Sequence, residues 1–173
     1  MNAPAQRVSF DGSQGGQLAA RLDLPAAPPV AYALFAHCFT CSKDVVAASR
    51  IASGLTRHGI GVLRFDFTGL GGSDGEFAHT NFSSNLEDLR LAAGWLAERH
   101  RAPQLLVGHS LGGAAVLAVA ADLPSVQAVA TIGAPSDVRH VEQLLGDQLP
   151  LIEANGEAEV TLAGRTFKIC RQF

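Results

Sequence analysis

Residues 105–116 read LLVGHSLGGAAV, and the interpretation of the whole chain turns on them. Leu105 to Val107 have the content of a buried strand, and the alanine-rich run after Gly113 favours a helix. Between them stands Gly108-His109-Ser110-Leu111-Gly112, a serine with glycine two residues away on either side. A chain that leaves a strand and enters a helix through so short a bend holds the central residue in a strained conformation, its side chain lifted outward. Glycines at those two positions remove the Cβ atoms that would collide there. The hydroxyl of Ser110 is then a candidate nucleophile, with the positive end of the helix beneath it and the Leu111 amide placed for an oxyanion. The competing interpretation is a glycine-rich helix start whose serine is idle.

The flanking sequence repeats the strand–helix alternation. Upstream, RVSF, a DGSQGG turn and QLAARLDL form an opening hairpin in which Leu18, Ala20, Leu22 and Leu24 alternate. VAYALFAHC is apolar nearly throughout, as a parallel strand covered on both faces would be. Val45, Ala48, Ala52 and Leu55 then recur at helical spacing over about 43–57, and IGVLRFDF is a further buried strand. A helix is expected from Asn81, with Phe82, Leu86, Leu89, Ala93 and Leu96 as its apolar stripe. After QLLVGH and the helix that follows, VQAVATIGAP is a fourth apolar strand, and a short helix is expected over about 137–146. The pattern predicts an α/β fold with a mainly parallel sheet and flanking helices, as a single domain over residues 1–173. The end differs: within 155–173, EAEVTLAGRTFKICRQF alternates, turns at Ala163-Gly164 and alternates again. That is a β-hairpin, read as a cap over the substrate mouth or an interface element.

Two further stretches align with the serine motif: FAHCFT (35–40) and DFTGLGGSDG (66–75) each end a buried strand. With GHSLGG they resemble the α/β-hydrolase superfamily over about residues 7–145, in its serine esterase and aminopeptidase-like branches. More narrowly, AHCFTCSKD and RFDFTGLGGSDG resemble the hydrolase half of bacterial proteins that fuse such a domain to an OsmC-like domain. The resemblance implies that His37 and Phe39 belong to an oxyanion turn, with the Phe39 amide as second donor. It also implies that Asp66, Gly69, Gly71 and Ser73 form a site-lining loop ordered by Asp66. Gly108, His109 and Gly112 support the bend at Ser110. Cys38 departs from the family pattern, since glycine usually follows the histidine of that turn.

A serine needs a base, and in this fold the acid and histidine follow the nucleophile in chain order. Of the six histidines, His37 is assigned to the oxyanion turn, His58 and His100 to helix ends and His79 to a loop. His109 adjoins the serine, and neighbours at such a bend point apart. His140, three residues after Asp137, is the remaining candidate, reached only if both arch over Ser110 from one short segment. The expectation is therefore that the C-terminal part of the fold is absent and that a chain without its triad acid and base turns over esters weakly or not at all. Loss of triad members leaves roughly 10³–10⁴-fold acceleration over water.

Cys38-Phe39-Thr40-Cys41 supports a rival interpretation, because a C-x-x-C after a strand and before a helix is suited to thiol exchange. With a lone Cys170 elsewhere, no metal site is expected, and the family implies no cofactor. A third reading is a non-catalytic interaction module. Three cysteines and an N-terminus without an apolar signal core suggest reduced thiols and a cytoplasmic setting. A net charge of −3 and the lack of a long apolar run give no reason to expect nucleic acid or membrane. The expected partners are a small ester or amide substrate, a missing C-terminal portion or OsmC-like domain, and a second copy of the chain as a homo-oligomer.

Overall fold

A computed structural model describes residues 4–38, 40–137, 146–162 and 164–171. Six strands form one sheet: β1 (Gln6–Asp11), β2 (Gln17–Asp23), β3 (Ala31–Ala36), β4 (Ile60–Phe65), β5 (Leu105–His109) and β6 (Ala128–Ile132). Their order is β1-β2-β4-β3-β5-β6, with β1 and β2 antiparallel and the rest parallel. The crossovers are α1 (Val46–Arg57), α2 (Phe82–Arg99) and α3 (Leu111–Val119). This is the α/β architecture expected from the sequence.

Alternation along the strands divides the core. Ala33, Phe35, Val62 and Val107 face Ala48 and Ala52 of α1, while Tyr32, Leu34, Leu63, Phe65 and Leu106 face α2 and α3. Both faces of β3 and β4 are therefore apolar, which is why their sequences read as continuous runs. The chain steps outward from β3 to β4, then crosses back over β3 to β5, so the winding reverses at β3. At such a switch point the loops diverge and leave a crevice at the carboxyl ends of the strands. The register places Ala36 opposite both Phe65 and Gly108, so residues 37, 66 and 109 emerge side by side.

Local signals set the helix limits. Asn81 accepts from Ser84 N at 2.9 Å, and Ser84 Oγ accepts from Asn81 N at 3.0 Å, a reciprocal cap for α2. The fourth apolar strand is β6, which lies at the sheet edge, and Ile132 is 45% exposed. Of the helix expected over 137–146, residues 138–145 lie outside the described residues. A helix the sequence reading did not anticipate, α4 (Leu149–Asn155), follows, with Pro150 in its first turn and Gly156 ending it at φ 84°. Proline there loses no helical bond, and glycine accepts the left-handed end.

The C-terminal hairpin is β7 (Glu157–Leu162) and β8 (Arg165–Cys170). Val160, Phe167 and Ile169 are buried, and the Phe167 ring stacks edge-on against Phe77 at 5.7 Å. The hairpin thus leans on the segment that ends the 66–79 loop. Leu63→Ala should lower the unfolding free energy by about 2–5 kcal/mol, as a deletion in a fully buried central strand does. Asn81→Ala should cost about 1 kcal/mol, the worth of a cap. Urea denaturation of the two variants checks this order.

Candidate active site

Ser110, between β5 and α3, has φ 53° and ψ −122° and is the only non-glycine of positive φ among the described residues. Such a conformation costs about 1–3 kcal/mol and persists only where the surroundings impose it. Here they do: Ser110 N donates to Ile132 O at 2.8 Å, and Ser110 O accepts from Gly113 N at 2.8 Å. A Cβ on Gly108 would stand 2.4 Å from the Gly112 carbonyl oxygen. One on Gly112 would stand 2.5 Å from the carbonyl oxygens of Ala36 and His37. The two glycines thus let the start of α3 press against both neighbouring strand ends. Leu111 opens α3, where a first-turn amide has no acceptor within the helix. Its side chain closes, with His37 and Phe67, a void of about 10 Å³, which is the size of one water.

Asp66 follows β4 and its side chain is fully buried. It accepts from Lys43 N at 2.5 Å, Lys43 Nζ at 2.6 Å and Gly72 N at 2.9 Å. His37 Nε2 stands 3.3 Å away, and Nδ1 lies 2.5 Å from the Cys38 carbonyl oxygen. A Cβ on Gly71 would fall 2.1 Å from Asp66 Oδ2, so only glycine lets the loop curl onto the carboxylate. Gly69 carries φ 73° in the same loop. Ser73 Oγ donates to Asp66 O at 2.6 Å and accepts from Ala19 N at 2.9 Å, which ties the loop to β2. Burial alone would raise the Asp66 pKa. Hydrogen bonds from His37, from Lys43 through side chain and backbone, and from Gly72 outweigh it, holding the carboxyl well below the usual carboxylate range.

Two polar residues of this region escaped the sequence reading. Lys43 opens the helical pattern of about 43–57, and its side chain is buried beside Asp66. Asp88, fully buried on α2, accepts from Thr68 N at 2.9 Å, Thr68 Oγ1 at 2.8 Å and Ser13 N at 2.9 Å. Its signal was present, since Asn85 and Asp88 interrupt the buried stripe of that helix.

Cys38 and Cys41 form a disulfide, which corrects the expectation of reduced thiols. The turn bond from Cys41 N to Cys38 O, 3.0 Å, brings the Cα atoms to 5.3 Å, inside the range a disulfide spans. Phe39, the expected second oxyanion donor, lies outside the described residues, and so does His140. A ring nitrogen of His109 and both sulfurs lie within 4.8 Å of one another. His109 therefore turns toward the cysteines, a grouping that the sequence alone did not reveal. Bonded to each other, the two sulfurs hold no metal. Of the other histidines, His58 and His100 cap α1 and α2, and His79 is exposed with Glu76 3.8 Å away. Among the described residues, none of these rings is hydrogen-bonded to Ser110.

The family model described as serine aminopeptidase, S33, matches residues 28–156. An esterase domain from Rhodothermus marinus shares 52% identity over 99% of this chain, with a TM-score of 0.74. An α/β serine hydrolase without lid from Xanthomonas campestris is 29% identical over 79% of the chain, TM-score 0.68. The ferulic acid-bound Est1E of Butyrivibrio proteoclasticus is 25% identical over 93%, TM-score 0.78. The chain spans 66%, 64% and 67% of their respective lengths. Comparison with curated proteins gave no match. Among the described residues, no helix is long and apolar enough to cross a membrane.

Asp66→Asn should destabilise the fold by about 3 kcal/mol at neutral pH, because Lys43 loses its buried counter-charge and keeps only the longer, solvent-screened contact to Asp44 at 3.5 Å. The sign with pH follows from the depressed folded pKa. Stability linked to Asp66 is complete above the ordinary value of 3.8 and is lost as pH falls toward the folded value. The gap between wild type and variant should thus be constant at neutral pH and narrow below 3.8. Thermal unfolding across pH 3–7 measures it.

Proposed function

Because this chain belongs to the serine aminopeptidase S33 family of α/β hydrolases, we propose that it is a serine hydrolase of the esterase or acyl-hydrolase type with Ser110 as its nucleophile. The backbone of Ser110 carries the proposal: a serine held at φ 53° between a strand and a helix is strained in the way a displayed nucleophile requires. The 52% identity to a Rhodothermus marinus esterase domain favours ester over amide substrates.

In this mechanism Ser110 Oγ attacks the substrate carbonyl while its proton passes to a base. The resulting oxyanion accepts from the Leu111 amide and from the amide of Phe39. Preorganised donors of this kind are worth roughly 10²–10³ in rate each. Collapse breaks the ester C–O bond, the alcohol departs with a proton, and water then attacks the acyl-serine and releases the acid. His37 and Asp66 do not serve as the base pair in this scheme. His37 is buried, with Nδ1 2.5 Å from the Cys38 carbonyl and Nε2 3.3 Å from the Asp66 carboxylate, and Asp66 is saturated by Lys43 and Gly72. The base comes from elsewhere than the described histidines, and turnover without it is slow.

A fluorophosphonate probe should form an adduct at Ser110, located by peptide mass spectrometry, and Ser110→Ala should abolish it. Nitrophenyl ester turnover should stay near the residual level of triad-deficient hydrolases, about 10³–10⁴-fold above water. An adduct at another residue, or one that survives Ser110→Ala, would refute the assignment.

A further inference from the structure

We propose that Cys38, Cys41 and His109 form a dithiol–disulfide exchange centre whose oxidation state sets the reactivity of Ser110. The second half of this statement rests on the reading of Ser110 as nucleophile, whereas the first half does not.

Three observations carry it. The bridge is closed in a turn that starts two residues after β3, at the point where the sheet winding reverses. Its two residues are unequal: Cys38 is 6% exposed, while Cys41 is half-buried. An incoming thiolate therefore reaches the sulfur of Cys41, and Cys38 is the one that departs. The imidazole of His109 lies within 4.8 Å of both sulfurs, brought there by the pairing of Ala36 with Gly108. Exchange is fastest where the departing sulfur is stabilised, and a neighbouring imidazole does this by hydrogen bonding.

The substrate class is a small dithiol. One thiolate attacks Sγ of Cys41, the Cys38–Cys41 bond breaks, and Cys38 leaves with the electron pair. Its proton comes from solvent or through the His109 ring. The second thiol of the reductant gives up its proton and attacks its own sulfur in the mixed disulfide, closing a cyclic disulfide and expelling Cys41. Two electrons and two protons end on the cysteines, and the dithiol is left oxidised. Oxidised dithiol reverses the sequence.

The coupling is short. His109 immediately precedes Ser110, and the carbonyls of Ala36 and His37 abut Gly112 in the first turn of α3. The bridged turn is closed both by the disulfide and by the Cys41 N to Cys38 O hydrogen bond, and opening removes the covalent closure. The turn proposed to supply an oxyanion amide is then less preorganised, so acylation of Ser110 slows. A whole donor is worth roughly 10²–10³, and loosening one should cost about tenfold.

The test uses the 173-residue chain in buffers of graded reduced and oxidised dithiothreitol. Iodoacetamide followed by intact mass should show one adduct on the bridged chain, at Cys170, and three on the opened chain. Fluorophosphonate labelling of Ser110 should fall about tenfold with bridge opening, while Cys41→Ser should label at the slow rate whatever the buffer. His109→Gln should slow the opening of the bridge. A bridge that never forms, or never opens under the dithiol, overturns the exchange centre. An opening rate unchanged in His109→Gln removes His109 from it. Equal labelling of the bridged and opened chains overturns the coupling alone. Absence of labelling in every state counts against the hydrolase reading, while the alkylation result still decides the thiol chemistry.

Discussion

A carboxylate without water is the constraint around which this site is arranged. Asp66 is buried at the end of β4, and an isolated charge there would cost several kcal/mol. Three segments supply what solvent would have given: Lys43 from beyond the cysteine turn, Gly72 from the loop after β4, and His37 from the end of β3. Withdrawal of Lys43 would remove both the counter-charge at 2.6 Å and a backbone donor. The fixed arrangement of the loops around the serine is thus a by-product of satisfying one buried anion. Such a pair adds little to net stability compared with apolar packing, and its value lies in selecting one loop arrangement over others.

The same logic of enforced proximity applies to the serine. Its backbone strain is held by a bond to β6 on one side and by the first turn of α3 on the other. Close approach of that turn to β3 is what Gly112 permits. Strain at Ser110, contact at Gly112 and the end of the parallel strands are therefore one feature. Altering any of them would move the hydroxyl relative to the amides that follow it.

A hydroxyl and a sulfur pair lie at adjacent strand ends because β3 and β5 are hydrogen-bonded neighbours in parallel register. Cys38 follows His37 directly at the end of β3. The bridge to Cys41 closes the turn with a covalent link in addition to its hydrogen bond. On the far side of the loop, Phe77 joins the C-terminal hairpin to the same body, so the hairpin's apolar face is covered from within the chain.

The sequence by itself determined the α/β class, most of the strands and helices, the bend at Ser110 and the loop at Asp66. These are local matters: apolar runs, helical periodicity and glycines at fixed spacing act within a few residues of themselves. Even α4 was legible in hindsight, from a proline at its start and a glycine at its end. What only the tertiary structure decided were pairings between distant positions. Nothing near Lys43 signals that it will meet Asp66, nor anything near Asp88 that it will cap Thr68. His109 joins the cysteines across 68 residues or more of chain only because two strands share a register. A buried polar group must find its partner somewhere, but which one depends on how the sheet is ordered, and that order is settled by the packing of all the elements together.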